Sequence, residues 1–396
     1  MSKHILLGIS GGIAAYKSCE LVRLLKKQGH SVSVVMSTAS TEFISPLTFQ
    51  ALSGNPVLTD THENGLGNGM AHINLTREAD ALVIAPATAN TIAKISHGIA
   101  DNLLTNLVAA RKCPLAVAPA MNVEMWNNPA NLRNIEQLRS DGITVFQPAY
   151  GEQACGEIGL GRMLEAADLA DLISDLWIPK ILLGKRILIT AGATFEAIDP
   201  VRGITNISSG QMGTALARAC RAAGAKVTLI YGQLQTTIPT GLLHTEQTVS
   251  AEEMFRAVHN HITNQDVFIS VAAVADYKVK NSSSQKIKKD GSGKVPVIEL
   301  TENPDILASI ASLPNTPFCV GFAAESERVL EYARVKRIRK NIPMLVANQI
   351  SQSMGKTTNQ ITIIDDENEI SFPETDKRQA ADNIVKHLAA RLNRSS

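Results

Sequence analysis

Within its first 37 residues the chain reads strand, glycine turn, amphipathic helix, strand: HILLGIS, GG, IAAYKSCELVRLLKKQG and HSVSVVMS. Short apolar runs continue to alternate with helical periodicity along the whole sequence. That pattern predicts an α/β fold with mainly parallel sheets. Further strands are expected at ALVIAP (81–86), PLAVAPA (114–120) and ITVFQP (143–148), with a helical stretch roughly from Ala89 to Ala110. Near residue 180 the pattern restarts. WIPKILLGKR, with its proline, glycine and basic residues, separates the helix EAADLADLISDLW from a new strand, RILITAG, and marks the expected domain boundary. The second half repeats the opening logic: RILIT, a long polar and glycine-rich loop, the helix SSGQMGTALARACRAAG and the strand KVTLIYG. Later come VFISVAAVA, GFAAE, the basic helix VLEYARVKRIRKN, MLVAN, ITIID and a C-terminal helix. The expectation is two Rossmann-like domains, residues 1–182 and 183–396.

The totals exclude several classes. A net charge of +1 argues against a protein that coats nucleic acid. No apolar run reaches the length of a membrane span, and MSKHILLGIS lacks the build of a signal peptide. The five cysteines are odd in number and form no CxxC pair, which reads as free thiols in a reducing, cytoplasmic setting.

Several loops carry possible chemistry. In GISGGIAAYK (8–17), glycines follow a strand and open a helix, a geometry that suits either a phosphate or tight packing. The spacing is neither the dinucleotide fingerprint nor a P-loop. MGKTT (354–358) lacks the upstream glycine of a Walker motif and is discarded. In PATANT (86–91), Thr88 and Asn90 either cap a helix or face a ligand at the carboxyl edge of the sheet. PAMNVEMW (119–126) leaves a later strand; it is a turn into a surface helix or a loop in which Asn122 holds something. His72, in GNGMAHINLTREAD, reads alone as a surface or capping residue. Cys155 has four glycines within seven residues, so it sits in a flap rather than a core, where a thiol can protonate or attack.

PAMNVEMW matches, position for position, the PxMNxxMW signature of the homo-oligomeric flavin-containing cysteine decarboxylases, and PATANT matches that family's second signature. ACGEIGLGRM resembles the substrate-closing flap of its coenzyme A branch. With the second half included, nearly all 396 residues resemble the bacterial bifunctional phosphopantothenoylcysteine decarboxylase/phosphopantothenate–cysteine ligases. The resemblance implies a flavodoxin-like N-terminal flavoprotein domain with FMN in its crevice. The phosphate would lie near Ser10, Gly11, Gly12 and Ser37, and the ring near Thr88 and Asn90. It also implies that the substrate's cysteine thiol is oxidised to a thioaldehyde, an electron sink from which carbon dioxide leaves; the resulting ene-thiol is then reduced. In that scheme Asn122 holds the departing carboxylate, His72 handles proton or charge, and Cys155 protonates the ene-thiol. Related proteins place this site between subunits of a trimer, with the histidine from a neighbour. A homo-oligomer with trimeric decarboxylase and dimeric ligase contacts is therefore expected, a dodecamer being one such assembly.

The same resemblance implies a C-terminal nucleotide-binding ligase domain. It would activate 4′-phosphopantothenate with CTP as an acyl-cytidylate and pass the acyl group to L-cysteine. Such chemistry needs cations around a triphosphate, a metal (Mg2+ or Mn2+) and a group to orient the acyl carbon. Asn206, in DPVRGITNISSGQMG (199–213), matches the asparagine that stabilises the intermediate. In VAAVADY (271–277), Ala273 would lie at the nucleotide and Asp276 would also support the metal. Lys286 in KIKK is the expected triphosphate partner. Pro304, Asp305, Ile306 and Leu307 around NPDI, Phe322 in GFAAE, and Lys336 with Lys340 match further nucleotide contacts. Without the resemblance, those last two lysines read as a solvated basic stripe. The chain departs from the family at Ala193, commonly proline or glycine, at Gln211, commonly lysine, and in TFEAIDPVR, where TREPIDPVR is commoner; contacts from Phe195 are not assumed. Two other readings are a peptide-modifying flavoprotein decarboxylase with an inert second domain, and a non-enzymatic flavin-binding regulator. The flap cysteine and the second-half motifs speak against the first, and the presence of Cys155 and His72 against the second.

Overall fold

The computed structural model describes residues 2–60, 71–288, 296–325, 327–349 and 358–394, with the side chains of residues 71 and 72 left out. The chain forms two compact units, Met1–Trp177 and Ile178–Ser396. No helix among the described residues is long and apolar enough to cross a membrane.

Unit 1 begins with β1 (His4–Ile9), α1 (Ala15–Lys27), β2 (Ser31–Met36), α2 (Thr38–Thr41), α3 (Pro46–Ser53) and β3 (Leu58–Thr59). It continues with α4 (Ala71–Glu78), β4 (Ala81–Ala87), α5 (Ala89–Ser96), α6 (Leu103–Ala110) and β5 (Leu115–Pro119). It ends with α7 (Val123–Asn127), α8 (Pro129–Ser140), β6 (Thr144–Val145), β7 (Ala149–Glu152), β8 (Ile158–Arg162) and α9 (Ala166–Ser174). Six strands pair in parallel in the order β3-β2-β1-β4-β5-β6. Successive residues of a strand point to opposite faces. Ile5, Leu7 and Ile9 of β1 therefore join one core with Leu21, Val22 and Leu25 of α1. Leu6 joins the other with Leu82, Ile84, Leu104 and Leu107. Both faces are covered, which is why β4 is apolar at nearly every position rather than alternating.

Two sequence expectations change here. The helical stretch from Ala89 to Ala110 is two helices: Gly98 takes a left-handed φ of 68° after α5, and Asn102 starts α6 with a capping box. The glycine-rich segment after ITVFQP is an antiparallel hairpin, β7 with β8. Gly161 lets that hairpin lie against the PAMN loop. Its φ is 142° and its carbonyl accepts from Met121 N at 2.9 Å; a Cβ there would sit 2.3 Å from Met121 O.

Unit 2 opens with β9 (Arg186–Ala191), the hairpin β10 (Phe195–Asp199) and β11 (Arg202–Thr205), α10 (Gln211–Ala222), β12 (Lys226–Tyr231) and β13 (His244–Gln247). Then follow α11 (Ala251–His261), β14 (Val267–Ser270), β15 (Tyr277–Val279), β16 (Leu300–Glu302), α12 (Ile306–Ala311) and β17 (Phe318–Glu325). The remainder is α13 (Val329–Arg339), β18 (Met344–Gln349), β19 (Thr358–Asn359), β20 (Ile361–Asp365), β21 (Glu369–Ser371), β22 (Thr375–Asp376) and α14 (Lys377–Arg394). The eight-stranded sheet runs β13-β12-β9-β14-β17-β18-β20-β21 and is parallel as far as β18. β20 and β21 return antiparallel along its edge. Unit 2 has the same doubly wound logic as unit 1, with one core on each face of the sheet.

The units divide a few residues before the boundary at 182/183 suggested by sequence. Leu182 is the reason: it is 1% exposed, belongs to the core of unit 2, and its N–H donates to Ala223 O at 2.9 Å. Both tryptophans, Trp126 and Trp177, lie in unit 1. Leu182→Ala is therefore expected to destabilise unit 2 by about 2–5 kcal/mol. Denaturant titration should show the far-UV circular dichroism transition of unit 2 moving to lower denaturant while tryptophan fluorescence holds its midpoint. Equal movement of both signals would show that Leu182 does not belong to unit 2 alone.

Candidate functional site

Both sheets reverse their strand order once, and ligand crevices open where neighbouring connections leave for opposite faces. In unit 1 the reversal falls between β1 and β4. The hydroxyl of Ser10, just past β1, donates to Pro86 O at 2.7 Å and accepts from Thr88 N at 2.9 Å. Ser10 is 1% exposed, so it pins the two strand exits together beneath the crevice rather than lining it. A cavity of about 910 Å³ opens above, and Gly11, Gly12, Ser37, Thr88, Asn90, Asn122 and Cys155 all line it. Helix α1 starts with no side-chain cap; its first-turn N–H groups at Ala15, Tyr16 and Lys17 donate instead to Gly12 O, Ile13 O and Ala14 O at 3.0, 3.4 and 3.1 Å. Gly11 is compressed against α2, where a Cβ would sit 2.6 Å from that of Ala39. Ser37 Oγ is buried with no hydrogen-bond partner among the described residues, the mark of a group that awaits an acceptor or donor from outside. Thr88 both lines the cavity and caps α5 by accepting from Thr91 N at 3.3 Å. Lys17 is not a free phosphate ligand: its ammonium is paired with Glu165 at 2.6 Å and bonded to Met163 O.

At the cavity mouth, Asn122 Oδ1 accepts from Glu124 N at 2.8 Å and so starts α7. That bond fixes the amide with its NH2 turned to the flap hairpin, 3.4 Å from Cys155 Sγ and hydrogen-bonded to the carboxylate of Glu157. Gln153 braces the same loop, accepting from Val123 N at 2.9 Å and donating to Leu160 O at 3.2 Å. Glu157 and Gln153 were missed by sequence; their position in the flap with Cys155 was the available signal. His72 belongs to α4, but its side chain lies outside the described residues.

In unit 2 the reversal falls between β9 and β14, and a buried hydroxyl again ties the exits. Thr194, past β9 and fully buried, accepts from Ala275 N at 3.0 Å, and Ala193 pairs with Ala273. Asn206 Nδ2 donates to Ala273 O and Val274 O, each at 3.1 Å. Asn303 donates from its side chain to Ala275 O and from its backbone to Asp276 O, both at 2.9 Å. Its Oδ1 is buried and unpaired among the described residues. Asn303 stands at the head of NPDI, yet sequence alone did not single it out. Asp305 caps α12 and pairs with Lys340, and Lys336 Nζ donates to Phe322 O at 2.9 Å. Burial pulls both ammonium groups below the usual lysine range, while the charge of Asp276 acts on each in the opposite sense. Lys336 and Lys340 are thus half-buried cations among the carboxylates of Asp276, Asp305 and Glu325, not a solvated stripe. Ile306 and Leu307 are core residues, so only their backbone is available to a ligand. A second cavity of about 360 Å³ lies at the other end of the sheet, by Asp266 and Phe318, and belongs to none of this.

Lys286 is exposed, and its loop is anchored at the next residue. Asp199 is 2% exposed and accepts from Ile287 N at 3.1 Å, Val201 N at 2.9 Å and Arg202 N at 3.0 Å, with Arg202's guanidinium against it. Arg202 also donates to Ile287 O at 2.7 Å. At the departures from the family pattern, Phe195 packs its ring on Gly203 across the hairpin. Gln211 Oε1 accepts from Lys377 Nζ at 3.3 Å, so a cation stands beside this helix start although residue 211 is neutral.

Comparison with known proteins follows the same division. Residues 1–177 match the family model described as Flavoprotein, and residues 182–392 match the DNA/pantothenate metabolism flavoprotein C-terminal domain. The coenzyme A biosynthesis bifunctional protein CoaBC of Vibrio cholerae serotype O1 is 47% identical over 98% of this chain and 97% of its own. CoaBC of Bacillus subtilis (strain 168) is 40% identical over 98% and 97%. Among solved structures, a PPC decarboxylase mutant complexed with pantothenoylaminoethenethiol is 36% identical, covering 45% of this chain and 99% of its own, with a TM-score of 0.41.

The Asp199 anchor yields a pH test. The Arg202 guanidinium beside it holds the carboxyl well below the usual carboxylate range. A depressed folded-state pKa contributes stability that is fully present above the unfolded value, near 3.9, and is lost as pH falls through the folded value. Wild type should therefore exceed Asp199→Asn in thermal stability by a constant margin from neutral pH to about pH 5. The margin should shrink below about pH 4. A margin flat down to pH 2 would show that the carboxylate's charge does not hold the loop.

Proposed function

The chain belongs to the bifunctional coenzyme A biosynthesis family, and on that premise we propose how each unit acts. It is a bifunctional enzyme that joins 4′-phosphopantothenate to L-cysteine and decarboxylates the product to 4′-phosphopantetheine.

Unit 1 is the decarboxylase and takes FMN. The cavity's size, its glycine-lined floor and the orphaned Ser37 hydroxyl fit a flavin phosphate at Gly11, Gly12 and Ser37, with the ring beside Thr88 and Asn90. Bound FMN would supply the chemistry of accepting a hydride and giving it back. The chain's own residues position and protonate. One observation carries this reading. Asn122, oriented by its own helix cap, already holds a carboxylate, that of Glu157, while its NH2 stands 3.4 Å from the Cys155 thiol. The substrate's carboxylate takes Glu157's place on the amide. After carbon dioxide leaves, Cys155 delivers a proton to the ene-thiol carbon as that carbon chain is reduced. His72 assists from a neighbouring subunit. Exposed Ile13, Tyr16, Phe43 and Leu47 support a subunit contact through the start of unit 1, where a trimer would form; the dimeric contacts through unit 2 rest on the family resemblance alone. The enzyme works in the cytoplasm.

Unit 2 is the ligase and uses CTP. Asp276 would hold Mg2+ or Mn2+ with the triphosphate, and Lys286, Lys336 and Lys340 would neutralise its charge. Asn206, bonded to the Ala273 and Val274 carbonyls, sits where it can orient an acyl-cytidylate for attack by the cysteine amine. The base and sugar are read by the backbone at Ala273 and at Pro304, Ile306 and Leu307.

Cys155→Ser tests the decarboxylase reading. Carbon dioxide should still leave phosphopantothenoylcysteine, but turnover to phosphopantetheine should fall by at least about 10²-fold, the usual contribution of a general acid. Mass spectrometry should find a product two hydrogens short. Normal phosphopantetheine formation by the variant would remove Cys155 from the reaction.

A further inference from the structure

Away from both sites, His244, Glu246 and His261 each offer one ligand atom, and the three atoms lie within 4.8 Å of one another. His244 and Glu246 are two apart on β13, so they share one face of that edge strand. His261 is the last residue of α11, which returns beside it. Glu246 Oε2 lies 2.8 Å from His261 Nε2 and 3.8 Å from His244 Nε2, and the two imidazole rings are 4.7 Å apart and tilted by 33°. Gln265 Nε2 donates to the His261 carbonyl at 2.9 Å and steadies the end of the helix.

We propose that these three side chains bind one divalent transition-metal ion of the Zn2+ class, stapling the edge strand β13 to the end of α11. Two imidazoles and one carboxylate are a donor set for borderline ions; hard ions such as Mg2+ prefer oxygen cages. Nitrogen and oxygen ligands at about 2.0–2.1 Å from a tetrahedral ion stand roughly 3.3 Å apart, so the two carboxylate–imidazole separations bracket what the ion needs. The adjustment falls on His244, whose side chain is 46% exposed and can turn. A cation at a helix C-terminus is also favoured by the helix dipole. The fourth position faces solvent at the sheet edge and is left to water or an added ligand. Nothing in the coenzyme A reactions calls on this cluster, which lies on a different strand end from Asn206, Asp276 and Lys336.

The test uses the full chain with its bound flavin, in a Cys155→Ser background that removes the one exposed thiol. Millimolar Mg2+ is kept present to fill hard-cation sites. After chelator treatment and its removal, calorimetric titration with Zn2+ should show one equivalent bound per chain. His244→Ala should weaken that equivalent at least tenfold, and His244→Ala with His261→Ala should abolish it. His261→Gln, which keeps a hydrogen-bond donor to Glu246, should lose it as well while retaining the apo melting temperature. Zn2+ should raise the far-UV melting temperature of the parent and leave the double variant unchanged. No equivalent in the parent, or an equivalent with undiminished affinity in the variants, overturns the proposal.

Discussion

A buried hydroxyl ties two strand exits together beneath each candidate site, and the rest of the arrangement depends on that tie. In unit 1 it is Ser10, bonded to Pro86 O and Thr88 N; in unit 2 it is Thr194, bonded to Ala275 N. In a doubly wound sheet the connections beside the order reversal diverge, so the backbone there has no neighbouring strand to satisfy it. A short side chain that bonds across the gap satisfies those groups and fixes the width of the crevice. The residues proposed to face a ligand, from Gly11 and Thr88 in one unit to Ala273 and Asn206 in the other, stand beside that tie.

The two sites differ in what is built above the floor. Unit 1 encloses a cavity, with a hairpin flap that brings Cys155 to Asn122 and a glycine, Gly161, that admits the flap against the PAMN loop. This suits a reaction on a reactive sulfur compound that must be kept from water. Unit 2 has an open cluster of charges instead: Asp276 among Lys336 and Lys340, with Lys286 on a loop hinged at Asp199. The proposed triphosphate would bring its own negative charge, and half-buried lysines set among Asp276, Asp305 and Glu325 suit it.

Much of this was legible in the sequence, and the limits have physical causes. The α/β class and the double restart follow from periodicity alone, because strands buried on both faces and amphipathic helices leave different patterns. The stretch from Ala89 to Ala110 reads as one helix because Ile95, Ile99 and Leu103 keep a helical period across the break. Gly98 and the Asn102 cap end and restart the helix without disturbing that spacing. The flap reads as a loop because glycine is a poor strand former, and pairing between β7 and β8 is a tertiary fact. PAMNVEMW points to Asn122, yet nothing local says that its partner is Glu157, across 35 residues. Likewise the DPVR segment gives no sign that Asp199 anchors a loop 88 residues downstream. Spacing reveals which face a residue occupies, but not which distant loop meets it.

The central claim is that one chain carries two working sites in series, one acting on what the other releases. The direct test supplies 4′-phosphopantothenate, carboxyl-labelled cysteine and CTP to the purified full-length enzyme and follows pyrophosphate and labelled carbon dioxide in the same reaction. Pyrophosphate should appear first, and labelled carbon dioxide should rise to equal it, with neither formed when the nucleotide is omitted. Carbon dioxide released without a nucleotide, or pyrophosphate formed with no carbon dioxide ever following, would contradict the account.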